Sequence, residues 1–216
     1  MLGVLLMSTE ASAAKTYVIE QNVWYRPPCG SSDLSDDLWD DTTALKSRMD
    51  AAGWSGRKWA NLYAWERDFR ESCSTMYGVG GSDYADTWSL AVFSGHGGPG
   101  MLYFGFQENT CNINIDNSVR LGQMGGGQAA IAMYISCSTL AIRPSGVPHG
   151  DYEWLHQLLG FHDVVHDKTS ALGSFFDDTA SKSNAQAWLD RMKAPAMVIS
   201  YTNGWNTDCW SVSNGA

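Results

Sequence analysis

Two apolar runs, each ending in a reactive side chain, constrain this chain more than any other feature. Ser89-Leu90-Ala91-Val92-Phe93 leads into Ser94-Gly95-His96-Gly97-Gly98, and Ala130-Ile131-Ala132-Met133-Tyr134-Ile135 leads into Ser136-Cys137-Ser138. A short unbroken apolar run bounded by Gly or Ser reads as a strand buried on both faces, the habit of a parallel sheet. Two such strands lying side by side bring His96 and Cys137 to one carboxyl edge, where open α/β sheets hold their ligands. The expectation is an α/β fold with a base and a thiol on the same edge.

The rest of the pattern fits around that pair. A first strand is predicted over Thr16 to Tyr25, stopped by Arg26-Pro27-Pro28, and a helix over Thr42 to Ala52, with Asp or Thr capping it and Gly53 ending it. Lys58 to Trp65 reads as a second strand, Trp88 to Ser94 as the third and Met101 to Phe106 as an extra one. Asn112 to Gln128 is polar, and its Gly125-Gly126-Gly127 precedes a strand instead of following one, so it reads as a turn and not a phosphate loop. Beyond Cys137 the pattern predicts a helix from Asp151 or Tyr152 to Leu159 closed by Gly160, then a short strand over Phe161 to His166. A helix over Asn184 to Met192 and a buried strand over Ala196 to Tyr201 complete the series. No repeat or linker divides residues 15–216, which read as one domain.

Composition narrows the function. A formal charge of −9 argues against a nucleic-acid backbone or an anionic membrane surface as partner, and a cationic peptide is easier to accommodate. Ten tryptophans serve core packing first, although exposed ones such as Trp205 and Trp210 suit sugar or peptide stacking. Met1 to Ala14 reads as a secretion leader too short to span a bilayer, placing the protein outside the cell or in its envelope. Outside the cytosol thiols tend to pair. Cys29, Cys73, Cys111 and Cys209 sit in polar sequence and can form two disulfides in any of three connectivities. Cys137, at a strand end, stands apart as a candidate free nucleophile.

Cysteine attacks as thiolate, so it needs a neighbouring base. His96 suits that role and can then protonate a leaving amine. Gly97, lacking a side chain, lets its N–H approach a substrate carbonyl, and with the Cys137 N–H it makes a candidate oxyanion hole. Other chemistries compete less well. Asp33, Asp36, Asp37, Asp40 and Asp41 form an acidic run without the Gly and distal Glu of an EF-hand, so helix capping explains them more simply than calcium. His156, His162 and His166 are spaced for a metal-dependent hydrolase but lack a zinc-protease glutamate, and His149 is placed to line the cleft without a catalytic role. A Gly-x-Ser-x-Gly elbow is absent, and neither cofactor nor metal is expected.

An apolar strand ending in His-Gly, followed by an apolar strand ending in a small residue and Cys, resembles the caspase-like cysteine peptidases, which include metacaspases, gingipains, clostripain and legumain. The likeness is strongest over residues 88–138. It implies a three-layer caspase-like α/β sandwich with a mainly parallel central sheet between helices, and a peptide or protein substrate. It also implies a His96–Cys137 dyad and an oxyanion hole from Gly97 and the Cys137 amide. The chain departs from the pattern around the cysteine. Ile135-Ser136 replace the caspase Gln-Ala, Thr139 replaces a Gly, and Ile135 stands where metacaspases and clostripain carry an Asp that binds basic side chains. Neither acidic nor basic specificity carries over. The rival expectation is a non-catalytic peptide- or carbohydrate-binding protein on the same fold.

Overall fold

The computed structural model describes residues 15–69, 85–107, 110–115, 118–122, 128–141, 151–152, 155–165, 170–202 and 206–211. The elements in chain order are β1 (Thr16–Gln21), α1 (Asp36–Ala51), β2 (Ser55–Ala60), β3 (Leu90–Ser94), β4 (Gly97–Gly98), β5 (Met101–Tyr103) and β6 (Asn112–Asn114). There follow β7 (Arg120–Leu121), β8 (Ile131–Ile135), β9 (Asp151–Tyr152), β10 (Gln157–Phe161), α2 (Ala171–Asp178), α3 (Asn184–Met192), β11 (Ala196–Thr202) and β12 (Asn206–Ser211). Seven strands form one sheet in the order β12-β11-β10-β8-β3-β1-β2. The pairs β10–β8, β8–β3, β3–β1 and β1–β2 are parallel, and only β11 and β12 join antiparallel.

The two apolar runs are the middle of that sheet. β3 and β8 pair in register from Leu90 opposite Ile131 to Ser94 opposite Ile135. All five residues of β3 are buried, as a strand covered on both faces requires. One face of the sheet packs on helices, where Leu45 and Met49 of α1, Phe175 of α2 and Trp188 of α3 meet Ile19, Val92 and Leu159. The other face carries a layer without α-helix among the described residues. It consists of the 3₁₀ turns Glu66–Phe69 and Ala85–Thr87, the small sheet β4-β5-β6, and loops around Phe104, Ile115 and Leu140. The molecule is thus an α/β sandwich whose outer layers differ in kind.

Several boundaries move. β1 ends at Gln21, four residues before the expected Tyr25, and β2 closes at Ala60 into the 3₁₀ turn Asn61–Tyr63. α1 begins at Asp36 and so takes all of the acidic run but Asp33 into its own start, where Asp36 and Asp37 in the first turn match the positive end of the helix dipole. The expected helix ending at Leu159 is a correction. Residues 157–161 form the strand β10, inserted between β8 and β11. Leu155, Leu158 and Leu159 are spaced as a helix stripe, but the run Leu158-Leu159-Gly160-Phe161 is buried throughout, as in β3 and β8. Gly160, read as a helix end, is a close approach: a Cβ there would lie 2.8 Å from the Leu140 Cδ1. The strand expected over Phe161 to His166 keeps only its first residue within β10. Helix α3 falls where expected, with the Ser183 hydroxyl accepting from the Gln186 N–H at 3.2 Å. Helix α2 and strand β12 were not anticipated. The leader expected at 1–14 and the turn expected at Gly125–Gly127 fall outside the described residues, as do His149, His166, Cys73 and Trp205.

Candidate active site

Because Ser94 and Ile135 are register partners, His96 and Cys137 leave the sheet at the same level from adjacent strands. The pairing continues one step further through Gly95 N–H to the Ile135 carbonyl at 3.1 Å. Both side chains then line one cavity of about 210 Å³, and both are half-buried. Its walls are otherwise mostly apolar, from Leu34, Leu38, Ile135, Phe161, Leu172 and Met192, with Asp41 among them.

His96 is fixed from three sides. Its N–H donates to the Tyr25 hydroxyl at 2.7 Å, and its carbonyl accepts from the Tyr103 N–H at 3.0 Å. Its ring lies 4.6 Å from the Tyr25 ring, centroid to centroid. The Tyr25 hydroxyl in turn donates to the Tyr103 carbonyl at 3.0 Å, and burial holds its phenol well above the ordinary range, so it stays a donor. Nε2 of His96 lies 3.1 Å from the Ser32 carbonyl. A carbonyl only accepts, so as a hydrogen bond this contact takes the proton on Nε2, which in a neutral ring puts the lone pair on Nδ1. The loop carrying Ser32 is tied down by a disulfide between Cys29 and Cys111 and by Asp33, whose carboxylate accepts from the Tyr25 N–H at 2.8 Å and from Arg26.

Cys137 is held by the turn that follows it. Ser138 adopts the left-handed region at φ 54°, costly for a residue with a side chain, and two bonds keep it there. Its N–H donates to the Asp163 carbonyl at 2.9 Å, and its carbonyl accepts from the Ala141 N–H at 2.9 Å. The Ser136 and Thr139 hydroxyls share a short hydrogen bond beneath the turn. The thiol donates to the Val165 carbonyl at 3.7 Å, and Cys137 forms no disulfide. Gly97 packs on this turn so closely that a Cβ would fall 2.5 Å from Thr139 Oγ1 and 2.8 Å from the Cys137 carbonyl. The glycine is therefore required by contact with the cysteine's own turn. That contact brings the Gly97 backbone up to Cys137, the neighbourhood an oxyanion hole needs.

The remaining candidates disperse. Cys29 and Cys111 form one of the expected disulfide pairs, while Cys209 lies on β12. His156 and His162 flank opposite ends of β10, so a five-residue strand separates them, and no group of three metal-ligating side chains occurs among the described residues. The acidic run does not converge either: Asp36, Asp37 and Asp40 face solvent on α1, Asp33 binds the loop, and Asp41 turns inward. Trp210 lies on β12. The groups that sequence reasoning missed are Ser32, Tyr25 and Asp41. Ser32 acts through its backbone carbonyl, which leaves no trace in residue type. Asp41 did leave one, an acid among the buried positions Thr42, Leu45 and Met49 of an amphipathic helix.

Sheet, edge cavity and free thiol define an α/β sandwich protein with a cysteine and a histidine at the carboxyl edge of its parallel strands. Residues 24–210 match the model of a family described as a domain of unknown function, DUF6345, and the chain belongs to that family. No curated protein matches the chain.

Proposed function

We propose that this protein is a cysteine-dependent endopeptidase of the caspase-like type, with Cys137 as nucleophile and His96 as base. The observation that supports it most is the common cavity of the two side chains, with the Ser32 carbonyl directing the imidazole lone pair to Nδ1. The resting thiol points at the Val165 carbonyl, so an entering substrate has to turn the S–H bond towards His96. Nδ1 then takes the thiol proton, and Sγ bonds to the scissile carbonyl carbon as the C=O π pair moves to oxygen. Gly97 and Cys137 N–H groups are assigned to that oxyanion. Collapse breaks the C–N bond, and the departing nitrogen takes the proton from Nδ1. Water, deprotonated by the same Nδ1, attacks the thioester carbonyl and releases the acid and the free thiolate.

Export to an oxidising compartment is part of the proposal and is supported by the Cys29–Cys111 disulfide. No helix of the described residues is long and apolar enough to cross a membrane. In a diverse peptide library, the protein is expected to cleave and to be labelled at Cys137 by a thiol-directed peptide electrophile. Cys137→Ala is expected to lose both, and turnover persisting in that variant would exclude the mechanism.

One observation favours the rival reading, a binder of peptide or carbohydrate. Trp24 and Tyr63 are 50% and 66% exposed on the same edge of the sheet. The Asn61 side chain ties their segments together by accepting from the Val23 and Trp24 N–H groups at 2.9 and 3.0 Å. A protein that binds such ligands with no Cys137-dependent turnover would decide for that reading.

A further inference from the structure

Helix α1 carries five aspartates, and four obey the rule that charge faces water: Asp36, Asp37, Asp40 and Asp50 are exposed. Asp41 breaks it. It sits on the buried face with Thr42, Leu45 and Met49, is 4% exposed, and lines the cavity that His96 and Cys137 share. Among the described lining residues it is the one carboxylate. A local rule broken at a cavity wall is where function is expected to override foldability. The neighbouring walls from Leu38, Phe161, Leu172 and Met192 suit an aliphatic stem. Inside such a wall the attraction between a carboxylate and an entering cation is much stronger than in water. The chain's formal charge of −9 draws cationic segments towards it from solution.

We infer that Asp41 is a specificity-determining residue that receives a lysine or arginine side chain of the substrate, beside the bond presented to Cys137. The inference rests on the proposed peptidase reading for its position relative to the scissile bond. It does not use the residue before the cysteine, since Ile135 offers no charge there. The acid comes instead from a helix packed across the cavity.

The test compares fluorogenic peptides alike except for the residue before the cleaved bond, which is arginine, lysine, citrulline, norleucine or glutamate. Citrulline matches arginine in shape without its charge. Wild-type kcat/KM is expected to be at least about 100-fold higher for arginine or lysine than for citrulline or norleucine. Asp41→Asn is expected to shrink that ratio to within about threefold, with a thermal melt confirming that the variant is folded. In parallel, calorimetry on Cys137→Ala measures binding of the arginine and citrulline peptides without turnover. A wild-type enzyme that cleaves citrulline or norleucine peptides as well as arginine ones would overturn the role of Asp41 while leaving the peptidase reading intact. Preference for the arginine peptide in binding, with no peptide cleaved, would uphold Asp41 and remove the peptidase. No preference in either assay would overturn the inference.

Discussion

On one face of the central sheet, α1, α2 and α3 bury Leu45, Phe175 and Trp188, and the interior of each helix pairs its own backbone groups. On the other, loops and 3₁₀ turns lie over Phe69, Phe93 and Phe104, and their N–H groups depend on buried side-chain acceptors. The Asp86 carboxylate accepts from Gly122 and Ala129 N–H groups at 2.6 and 3.3 Å, Glu66 from Thr110 at 3.0 Å, and Asn22 from Gly105 at 3.0 Å. The candidate site lies where these coverings meet. Helix-side residues Leu38, Asp41 and Leu172 help wall the cavity, while Tyr25, Ser32 and Tyr103 from the irregular side hold His96. A regular layer supplies shape, and an irregular one supplies the aim of a single side chain.

The largest effect expected on this contrast comes from removing the disulfide. Cys29 and Cys111 are 82 positions apart, so replacing both with Ser is expected to lower stability by up to about 4.5 kcal/mol in urea unfolding. Added amide exchange should concentrate in the loop carrying Ser32 and around β6; uniform exchange across α1 and α3 would erase the distinction between the faces. Trp188→Ala comes next, at about 4 kcal/mol, because a fully buried ring packed on Phe161 and Phe175 leaves a cavity. Its damage should stay on the helical face and leave Cys137 labelling by a thiol electrophile within a few-fold of wild type.

Asp86→Ala is expected to cost about 3 kcal/mol, since it strands two buried N–H groups. A loss under 1 kcal/mol would show that the irregular layer does not depend on its buried acceptors. The smallest effects are opposite responses to pH. Burial and the adjacent Asp68 keep Glu20 protonated well above the usual carboxylate range. The native state therefore binds more protons than the unfolded chain above pH of about 4.5, and stability falls as pH rises from there towards the native pKa. Glu20→Gln should flatten that decline. Asp178, bonded to Arg191 and Lys182, is drawn down to about 2, so its contribution is present above its ordinary pKa and fades as pH falls to about 2. Urea midpoints measured from pH 2 to 9 for Glu20→Gln and Asp178→Asn should move in opposite pH windows. Identical profiles would break the contrast.

How much was legible follows the same division. Strands β3 and β8 could be read because burial on both faces leaves an unbroken apolar run, and α3 because its cap and stripe agree. β10 misled because leucines at helical spacing and a terminal glycine imitate a capped helix, and only the neighbouring strand and Leu140 show why they are there. α2 is short, contains Gly173 and starts after Ser170 at φ 71°, so its local signals are weak. The irregular layer announces itself least, since Asp86 and Asn22 look like ordinary loop residues until the backbones they serve are folded over them.

The sequence by itself determined a parallel α/β sheet with a histidine and a cysteine at its carboxyl edge, because strand burial and strand ends are local patterns of side-chain type. Tertiary structure alone decided which carbonyl faces Nε2 of His96, which turn Gly97 touches and which acid lines the cavity. Each of those depends on a backbone carbonyl, a close approach or a helix rotation, made by residues distant in the chain and unmarked by their identity.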